Sequence, residues 1–421
     1  MKSVPLATSL LSILMTSACN NSLLTRYADP ELTHHLSKLF GIPRCHEILI
    51  ALRKVVSKYF FRLTAPLRSD ALTDYQKIIY QTLLDNGWVA TNHPALPEAF
   101  FVQTRGPFDL SSFNFQRKVV ADKYAAESVF QGSDLFVPGV ISARGIKKGE
   151  QVGIVSPQED LVGVGIATLT QRQIHSYTHG IAVKVVKTVY ETPSLRPTQC
   201  FEQGLVYPQS LPAILATRIL APNPKTDKLI VDLCAAPGGK TSHIAQLMDG
   251  KGKIIAVDNS LTRFHALEQT LTRLQTQNVK TVYGDALKLV TQFTFRADKI
   301  LLDPPCSALG VRPKLYEEKT LQDVKNLSKY QMLLIKAASK LLKKHGILVY
   351  STCTLTPEEN EVVVNFAIRE LGLRIVAQTY GYGAPGFDLD HLEFIPEHVQ
   401  RFYPDFHDTP GFFIAKLQKY S

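Results

Sequence analysis

The sequence predicts an α/β protein built around a mostly parallel, doubly wound sheet, with smaller domains upstream of it. From residue 226 onward, short apolar runs alternate with helical patterns, as expected for a sheet made of βα units. A Gly-rich turn follows the first of these runs. Residues 101–195 instead contain short β-branched runs separated by Gly and polar turns, a pattern typical of a small β-barrel.

Composition limits the classes of protein that fit. The chain has 421 residues, 45% hydrophobic and 20% charged, which is enough for two or three globular domains. Its net charge of +10 favours a polyanionic partner, nucleic acid first, although a basic surface also serves solubility. None of the six cysteines lies in a CxxC pair, so we expect free thiols, a cytoplasmic location and no metal site.

The first 18 residues imitate a secretory or lipoprotein signal. Lys2 precedes a stretch rich in Leu, Ser and Thr that ends at Cys19. Ser and Thr interrupt the apolar part, and Thr16 replaces the Leu of a lipoprotein cleavage site, so we interpret this stretch as a mildly apolar helix. No later segment reaches the roughly 20 apolar residues of a membrane span, and no membrane partner is expected.

Residues 1–100 are predicted to form a small N-terminal α/β unit. Apolar residues recur at near-helical spacing from Ile48 to Phe61 and again from Thr73 to Asn86. Thr73 is the candidate N-cap of the second helix. Between the two patterns, Tyr59–Leu63 is predicted as a strand.

Residues 101–195 are predicted as a separate domain. A short helix at Asp122–Phe130 leads into Gly132–Val140, and β-branched runs follow at 152–155, 162–167 and 181–186. This order resembles a PUA domain, a family that binds structured RNA; a generic barrel insertion is the alternative. The candidate RNA contacts in this domain are Phe136, Arg144, Lys147, Lys148 and Arg172.

A cofactor turn is predicted after the strand at 229–233. Pro237, Gly238 and Gly239 allow a ligand to approach the backbone at the start of the following helix. The strands predicted at 253–257 and 279–283 lead into Asp258, suited to ribose hydroxyls, and into Asp285, suited to an adenine amino group. The turn lacks both common phosphate-binding patterns, which favours S-adenosylmethionine over phosphate-bearing ligands. The predicted cofactor contacts are Cys234, Ala235, Ala236, Pro237, Gly238, Gly239, Lys240, Asp258, Arg263, Asp285 and Asp303.

Two cysteines follow predicted buried strands. Asp303-Pro304-Pro305-Cys306-Ser307 follows the apolar run 299–302, and Ser351-Thr352-Cys353-Thr354 follows the run 346–350. The carboxyl ends of parallel strands are the usual place for a site in such a sheet. A buried cysteine alone is usually inert, but this pair predicts thiolate chemistry beside a nucleotide-like ligand.

Three motifs together carry a family resemblance. DLCAAPGGKT, DPPCS and STCT occur in order at predicted strand ends, and this arrangement resembles the NOP/SUN family of RNA cytosine-5 methyltransferases over about residues 200–420. The PUA-like domain and the tail at 411–416 narrow the resemblance to the PUA-containing subfamily, the sixth NSUN group. It implies a Rossmann-like, S-adenosylmethionine-dependent methyltransferase domain at 196–421, after the domains at 1–100 and 101–195.

The resemblance also implies catalytic roles. Cys353 adds to carbon-6 of the base as a thiolate, and Cys306 serves the release step. Asp303 holds the amino group and ring nitrogen of the cytosine, and Lys240 reaches the same pocket. Phe412 is the candidate aromatic beside the target base.

For substrate, the resemblance implies cytosine 72, at the 3′ end of the acceptor stem of particular tRNAs, with the CCA end on the PUA domain. The base must be unpaired or flipped, at a cost of about a few kcal/mol. Messenger RNA hairpins are a further substrate of the subfamily, and a monomer is the expected state. Two alternatives stay open: a ribosomal RNA cytosine-5 methyltransferase, and an RNA-binding module without catalysis. A DNA enzyme is disfavoured, because those usually attack through the Pro-Cys thiol.

Overall fold

The computed structural model describes residues 27–67, 70–292 and 294–420. The signal-like stretch and Cys19 lie outside these residues. The chain divides into two compact units with interleaved segments. The first unit consists of the described residues up to Val55, together with Arg105–Glu191 and Arg312–Asp323. The second unit consists of the other described residues. This division follows the packing of the chain and does not test sequence domains. The predicted domain limits at 100/101 and 195/196 therefore stay predictions.

The helices and strands of the described residues are numbered in chain order. The helices are α1 (Pro30–Phe40), α2 (Ile42–Arg53), α3 (Ala71–Asp85), α4 (Lys123–Val129), α5 (Gln171–Ser176), α6 (Gln199–Glu202), α7 (Leu211–Leu220), α8 (Gly239–Met248), α9 (Leu261–Arg273), α10 (Ala286–Gln292), α11 (Leu321–Leu341), α12 (Glu361–Leu371) and α13 (Pro404–His407). The strands are β1 (Lys58–Leu63), β2 (Ala90–Asn92), β3 (Ala99–Gln103), β4 (Arg117–Ala121), β5 (Leu135–Phe136), β6 (Val140–Ser142), β7 (Gln151–Val155), β8 (Leu161–Ala167), β9 (Ile181–Thr188), β10 (Val206–Pro208), β11 (Leu229–Asp232), β12 (Lys253–Asp258), β13 (Val279–Tyr283), β14 (Ala297–Leu302), β15 (Leu342–Thr352), β16 (Leu373–Ile375), β17 (Gln400–Phe402) and β18 (Phe412–Lys419). Within the ranges described, none of these helices combines the length and apolar character needed to cross a bilayer.

The first unit is organised by a mixed six-stranded sheet in the order β5-β9-β8-β7-β4-β6. Strands β4 and β7 are parallel, and the other pairs are antiparallel. Helix α4 begins after Asp122, whose side chain accepts a hydrogen bond from the backbone N–H of Ala125 at 2.8 Å. Inward-facing residues such as Val119, Val152 and Val183 are fully buried. The β-branched runs of the sequence thus supply the core of this unit.

The second unit contains a small antiparallel sheet in the order β10-β1-β3-β2. The rings of Phe61 and Phe100 stack across β1 and β3, with centroids 5.3 Å apart, on its buried face. The predicted strand at Tyr59–Leu63 is therefore present as β1. The N-cap prediction was wrong, because α3 begins at Ala71 after Asp70 and Thr73 lies inside its first turn.

The larger sheet of the second unit has the order β13-β12-β11-β14-β15-β18-β16, with β17 beside β18. Strands β11 to β15 are parallel, whereas β16, β17 and β18 join in antiparallel pairs. Strand β11 is the first strand of this parallel part in the chain. Strands β12 and β13 are added on one side of it and β14 and β15 on the other, so the strand order reverses at β11. The open crevice of such a sheet lies at the carboxyl ends of the strands on either side of this reversal. Both faces are buried, one by residues such as Val231 and Ile300 and the other by residues such as Ile230 and Leu301.

Within the second unit, Glu98 joins the small sheet to helix α7 by a buried ion pair and to helix α8 by a hydrogen bond. Glu98, just before β3, accepts hydrogen bonds from Arg218 Nε at 2.6 Å and from His243 Nε2 at 3.0 Å. Burial by itself raises the pKa of Glu98, but these two hydrogen bonds lower it well below its ordinary value. Burial lowers the pKa of His243 to about 4, so its imidazole is neutral near pH 7.

His243 makes stability depend on pH. Its folded-state pKa lies below the unfolded value of about 6.5, so its contribution is complete above pH 6.5 and is lost as the pH falls toward 4. We expect the wild type to lose about 2 kcal/mol of unfolding free energy between pH 7 and pH 5 through this group. Urea unfolding at both pH values measures this loss. H243Q keeps a side-chain donor toward Glu98 but does not titrate, and equal losses in both proteins would contradict the prediction.

Candidate active site

The two predicted thiols are brought into contact at the carboxyl edge of the larger sheet. Strands β14 and β15 are parallel neighbours, with Leu302 opposite Tyr350, so the loops that follow them leave the sheet side by side. The Sγ atoms of Cys306 and Cys353 are 3.3 Å apart, and both cysteines are free thiols. Both side chains are partly buried. The contact joins residues 47 positions apart in the chain.

The Cys306 thiol of this pair resists ionisation. The hydrogen bond with Cys353, followed by burial, raises the pKa of the Cys306 thiol well above its ordinary value. Cys306 is therefore held as a neutral thiol, and a hydrogen bond joins the two sulfurs. A negative charge on Cys353 has the same effect. When Cys353 forms a covalent bond and loses that charge, the pKa of Cys306 must fall.

An ion pair lies beside the thiols. Lys240 Nζ donates to Asp303 Oδ2 at 2.6 Å, and Ser351 Oγ donates to Asp303 Oδ1 at 2.7 Å. Burial opposes the charge of Lys240, but the Asp303 carboxylate outweighs burial and raises the pKa of the amine. The ammonium group lies 5.5 Å from the centroid of the Phe412 ring, at the start of β18. The four predicted catalytic residues and Phe412 thus belong to one site.

The predicted cofactor turn connects β11 to helix α8. Gly238 has a φ of +104°, a conformation that L side chains rarely adopt. A Cβ on Gly239 would lie 2.7 Å from Cε1 of Tyr207, so this position also requires glycine. The Ala236 N–H donates to Asp258 Oδ2 at 3.1 Å, and Arg263 Nη2 donates to the Ala236 carbonyl at 2.9 Å.

Two clefts open on either side of Cys234. The first, of about 220 Å³, is lined by the turn at 234–237, Gly239, Lys240 and Asp303. The second includes Asp258 and Arg263 and is closed by Tyr330 of α11. Asp285 lies between two residues of the second cleft, and its Oδ1 accepts the Leu287 N–H at 2.9 Å. Burial raises the pKa of the Cys234 thiol well above its ordinary value, although the residue lines both clefts.

The first cleft also contains residues that no sequence motif singled out. Gln209 Oε1 accepts from the buried Arg62 guanidinium at 2.8 Å, so the amide nitrogen of Gln209 faces away from Arg62. That nitrogen is buried and has no hydrogen-bond partner among the described residues. The only sequence signal is the aromatic-Pro-Gln-Ser run at 207–210, directly before helix α7.

The donors and acceptors here fit S-adenosylmethionine. Asp232 ends β11, and burial raises its pKa to about 7 while Thr241 Oγ1 donates to its Oδ2 at 2.7 Å. Its Oδ1 is buried and has no partner among the described residues. Unpaired buried polar atoms are rare in proteins, and a cleft with one spare donor and one spare acceptor suits the amino-acid end of this ligand. Asp258 and Arg263 would hold its ribose side.

The predicted RNA contacts of the first unit are exposed. Arg144, Lys147 and Lys148 lie in the turn between β6 and β7, and Arg172 lies at the start of α5. The two elements are joined, because the Gly145 N–H donates to Gln171 Oε1 at 2.7 Å. Their four cations therefore lie on neighbouring turns. Phe136 is 49% exposed and lies on β5, the strand at the other end of the sheet order, whereas Phe412 of the second unit is buried.

Comparison with known families matches both parts of the chain. The family described as "16S rRNA methyltransferase RsmB/F" matches residues 218–418, and the PUA domain family matches residues 117–189. A tRNA (cytosine(72)-C(5))-methyltransferase of Pyrococcus horikoshii is 44% identical over 393 residues, 92% of this chain and 96% of the relative. The tRNA (cytosine(72)-C(5))-methyltransferase NSUN6 of Mus musculus is 32% identical over 313 residues, 66% of this chain and 63% of the relative.

A solved structure matches the fold over nearly its whole length. It is the crystal structure of NSun6 from Pyrococcus horikoshii with SFG, an analogue of S-adenosylmethionine. The TM-score is 0.84 and the sequence identity 42%, and the match covers 94% of this chain and 99% of that structure.

Removing Cys353 should lower the pKa of Cys306. The hydrogen bond with Cys353 is the largest cause of the raised value, so C353A removes it and leaves only burial and Glu359 opposing ionisation. We expect the pH profile of Cys306 alkylation by iodoacetamide, followed by peptide mass spectrometry, to move to lower pH in C353A. The wild-type profile of the same peptide is the reference. An unchanged or upward-shifted midpoint would contradict the role of Cys353 in raising the pKa of Cys306.

Filling the space at Gly239 should weaken cofactor binding. The Cβ of G239A meets the Tyr207 ring at 2.7 Å, so either the ring or the turn must move. We expect about a tenfold loss of affinity for S-adenosylmethionine by calorimetry, and a smaller loss when Y207A is added to G239A. G381A is the matched control, because its Cβ meets nothing within 4 Å. Additive losses in the double variant would show that the ring is not the obstacle.

Proposed function

The chain belongs to the RsmB/F, or NOP/SUN, family of RNA cytosine-5 methyltransferases and carries a PUA domain; from this premise we propose that it methylates carbon-5 of cytosine 72 in tRNA. The choice of tRNA as the substrate rests on one observation. The match to the tRNA (cytosine(72)-C(5))-methyltransferase of Pyrococcus horikoshii extends over 92% of this chain, through both the PUA and the methyltransferase parts.

The first chemical step is assigned to Cys353. Its thiolate adds to carbon-6 of the cytosine, and the ring electrons move toward carbon-5, which becomes a nucleophile. Asp303, held by Lys240 and Ser351, would accept a hydrogen bond from the amino group of the base and orient the ring. S-adenosylmethionine supplies, from its sulfonium, the methyl group that carbon-5 takes.

The release step is assigned to Cys306. In the free enzyme the neighbouring sulfur keeps this thiol protonated. Once Cys353 is bonded to carbon-6, its charge is gone, and Cys306 can give its proton to solvent. Cys306 then takes the proton from carbon-5, the double bond between carbon-5 and carbon-6 re-forms, and the carbon–sulfur bond breaks to return the Cys353 thiolate. The contact of 3.3 Å between the sulfurs thus supports a base that becomes competent only after attack.

The partner follows from the same proposal. A base at the end of a stem is the cheapest to unpair, and the net charge of +10 supports binding to a polyanion. Arg144, Lys147, Lys148 and Arg172 are the cations through which the PUA domain would contact the backbone of the tRNA end. We propose a monomer that acts in the cytoplasm, with messenger RNA hairpins as further substrates.

Methyl transfer with labelled S-adenosylmethionine tests the function. The substrates are an unmodified tRNA pool with intact CCA ends and, in parallel, ribosomal RNA, each run on a denaturing gel. We expect the wild type to label tRNA and C353A to label nothing. C306A should form a protein–RNA band that survives denaturant, because attack proceeds and release fails.

The other outcomes are distinct. Label in ribosomal RNA alone would replace the substrate and leave the chemistry in place. tRNA that binds without becoming labelled would favour a module that only binds RNA.

A further inference from the structure

Three consecutive polar residues follow the second thiol motif and are buried completely. Glu359, Asn360 and Glu361 each have 0% exposed surface, at the junction where a short turn leads into helix α12. Burial of charged side chains is unfavourable unless each is hydrogen-bonded. The hydrogen bonds of Glu359 and Asn360 lead to the residues on both sides of Cys306 and Cys353.

Glu359 holds the Cys306 loop. Its Oε1 accepts the Ser307 N–H at 2.8 Å, and its Oε2 accepts the Ser307 hydroxyl. Gln331 Nε2 bridges Oε1 at 2.9 Å to the Pro305 carbonyl, also at 2.9 Å. The residues on either side of Cys306 are therefore tied to one carboxylate, directly or through one amide. Thr356 adds a fourth donor at 3.2 Å.

Asn360 holds the Cys353 loop. Its Oδ1 accepts the Thr352 hydroxyl, and its Nδ2 donates to the Thr354 carbonyl at 3.3 Å. The residues on either side of Cys353 are thus joined to one amide. Glu361 continues the pattern, since it binds Arg401, whose Nη1 donates to the Leu355 carbonyl at 2.7 Å.

Building on the proposed methyltransferase function, we propose that Glu359 and Asn360 are positioning residues with divided tasks. Glu359 aligns Cys306 for the release step, and Asn360 aligns Cys353 for attack. Both hold the residues that flank the thiols, and the charge of Glu359 also raises the pKa of Cys306. Ser307 connects the two halves, because its hydroxyl also contacts Thr354 Oγ1 at 2.6 Å.

The energetics support a role that is sensitive to small changes. Four donors converge on a carboxylate in a dry environment, where charge-assisted hydrogen bonds are strongest. Burial nevertheless raises the pKa of Glu359, so part of the hydrogen-bond energy offsets the burial of its charge. Misplacement of a reacting group by about 1 Å can cost about 100-fold in rate.

Hydroxyl deletions test the division of tasks with little disturbance of the core. S307A removes the hydroxyl bonds of Ser307 to Glu359 and to Thr354, and T352V removes the hydroxyl bond of Thr352 to Asn360. E359Q and N360A are the stronger variants. S328A is the control, a buried hydroxyl that donates to the Glu358 carbonyl and touches neither thiol loop. Each protein receives unmodified tRNA and labelled S-adenosylmethionine, and the denaturant-stable adduct and the methylated product are both quantified.

We expect S307A and E359Q to accumulate the adduct, at least fivefold over wild type, with turnover slowed by about ten- to a hundredfold. T352V and N360A should slow product formation without accumulating adduct. Thermal unfolding of S307A and T352V should match that of S328A, which separates positioning from loss of the fold.

The controls distinguish the two levels of the proposal. Adduct in C306A together with wild-type adduct levels in S307A and E359Q would overturn the assignment of Glu359. Adduct accumulation in T352V and N360A would overturn the assignment of Asn360. Absence of label in wild type and of adduct in C306A would instead reject the methyltransferase function on which the inference rests.

Discussion

The parallel pairing of β14 with β15 is the constraint on which the catalytic site depends. Parallel strands end at the same edge of a sheet, so the loops after Leu302 and Tyr350 leave it as neighbours. This register brings Cys306 and Cys353 within 3.3 Å of each other without a covalent bond. A shift of one residue would turn alternate side chains to the other face and separate the thiols. The buried apolar runs of both strands therefore serve the chemistry as well as the core.

The site places several acidic groups in a small volume, and the charge of each group is compensated in a different way. Asp303 is neutralised by the Lys240 ammonium, and the charge of Glu359 is met by four donors. Asp232 receives less help, and burial raises its pKa to about 7. Cys306 remains a thiol because its hydrogen bond with Cys353, together with burial, raises its pKa. In the proposed mechanism, a covalent bond at Cys353 would end this hydrogen bond and lower the pKa of Cys306, so electrostatics would set the order of the steps.

The sequence was most informative where function depends on local pattern. Strands β11 to β14 follow the apolar runs within one residue at their ends, and the Gly-rich turn begins α8 as expected. The contact of the two thiols followed from their positions at strand ends. Gln209 and Glu359 were not found, because their roles depend on partners about 150 and 50 positions away in the chain. No periodicity encodes such contacts. The interleaved units escaped detection for the same reason.

Arg62 shows why the segment before the PUA domain belongs to the catalytic unit. Its guanidinium is fully buried and donates to Gln209, Gln246 and Ser242 at 2.8, 2.5 and 2.7 Å. Burial lowers its pKa to about 10, which leaves it charged at neutral pH. Removal of the Arg62 guanidinium would leave these acceptors buried without this donor, at a cost of about 1–3 kcal/mol each. Since Arg62 Nη2 also reaches the Gly239 carbonyl at 3.3 Å, the loss would be felt at the cofactor turn itself. The small sheet β10-β1-β3-β2 therefore supports the cofactor turn between β11 and α8.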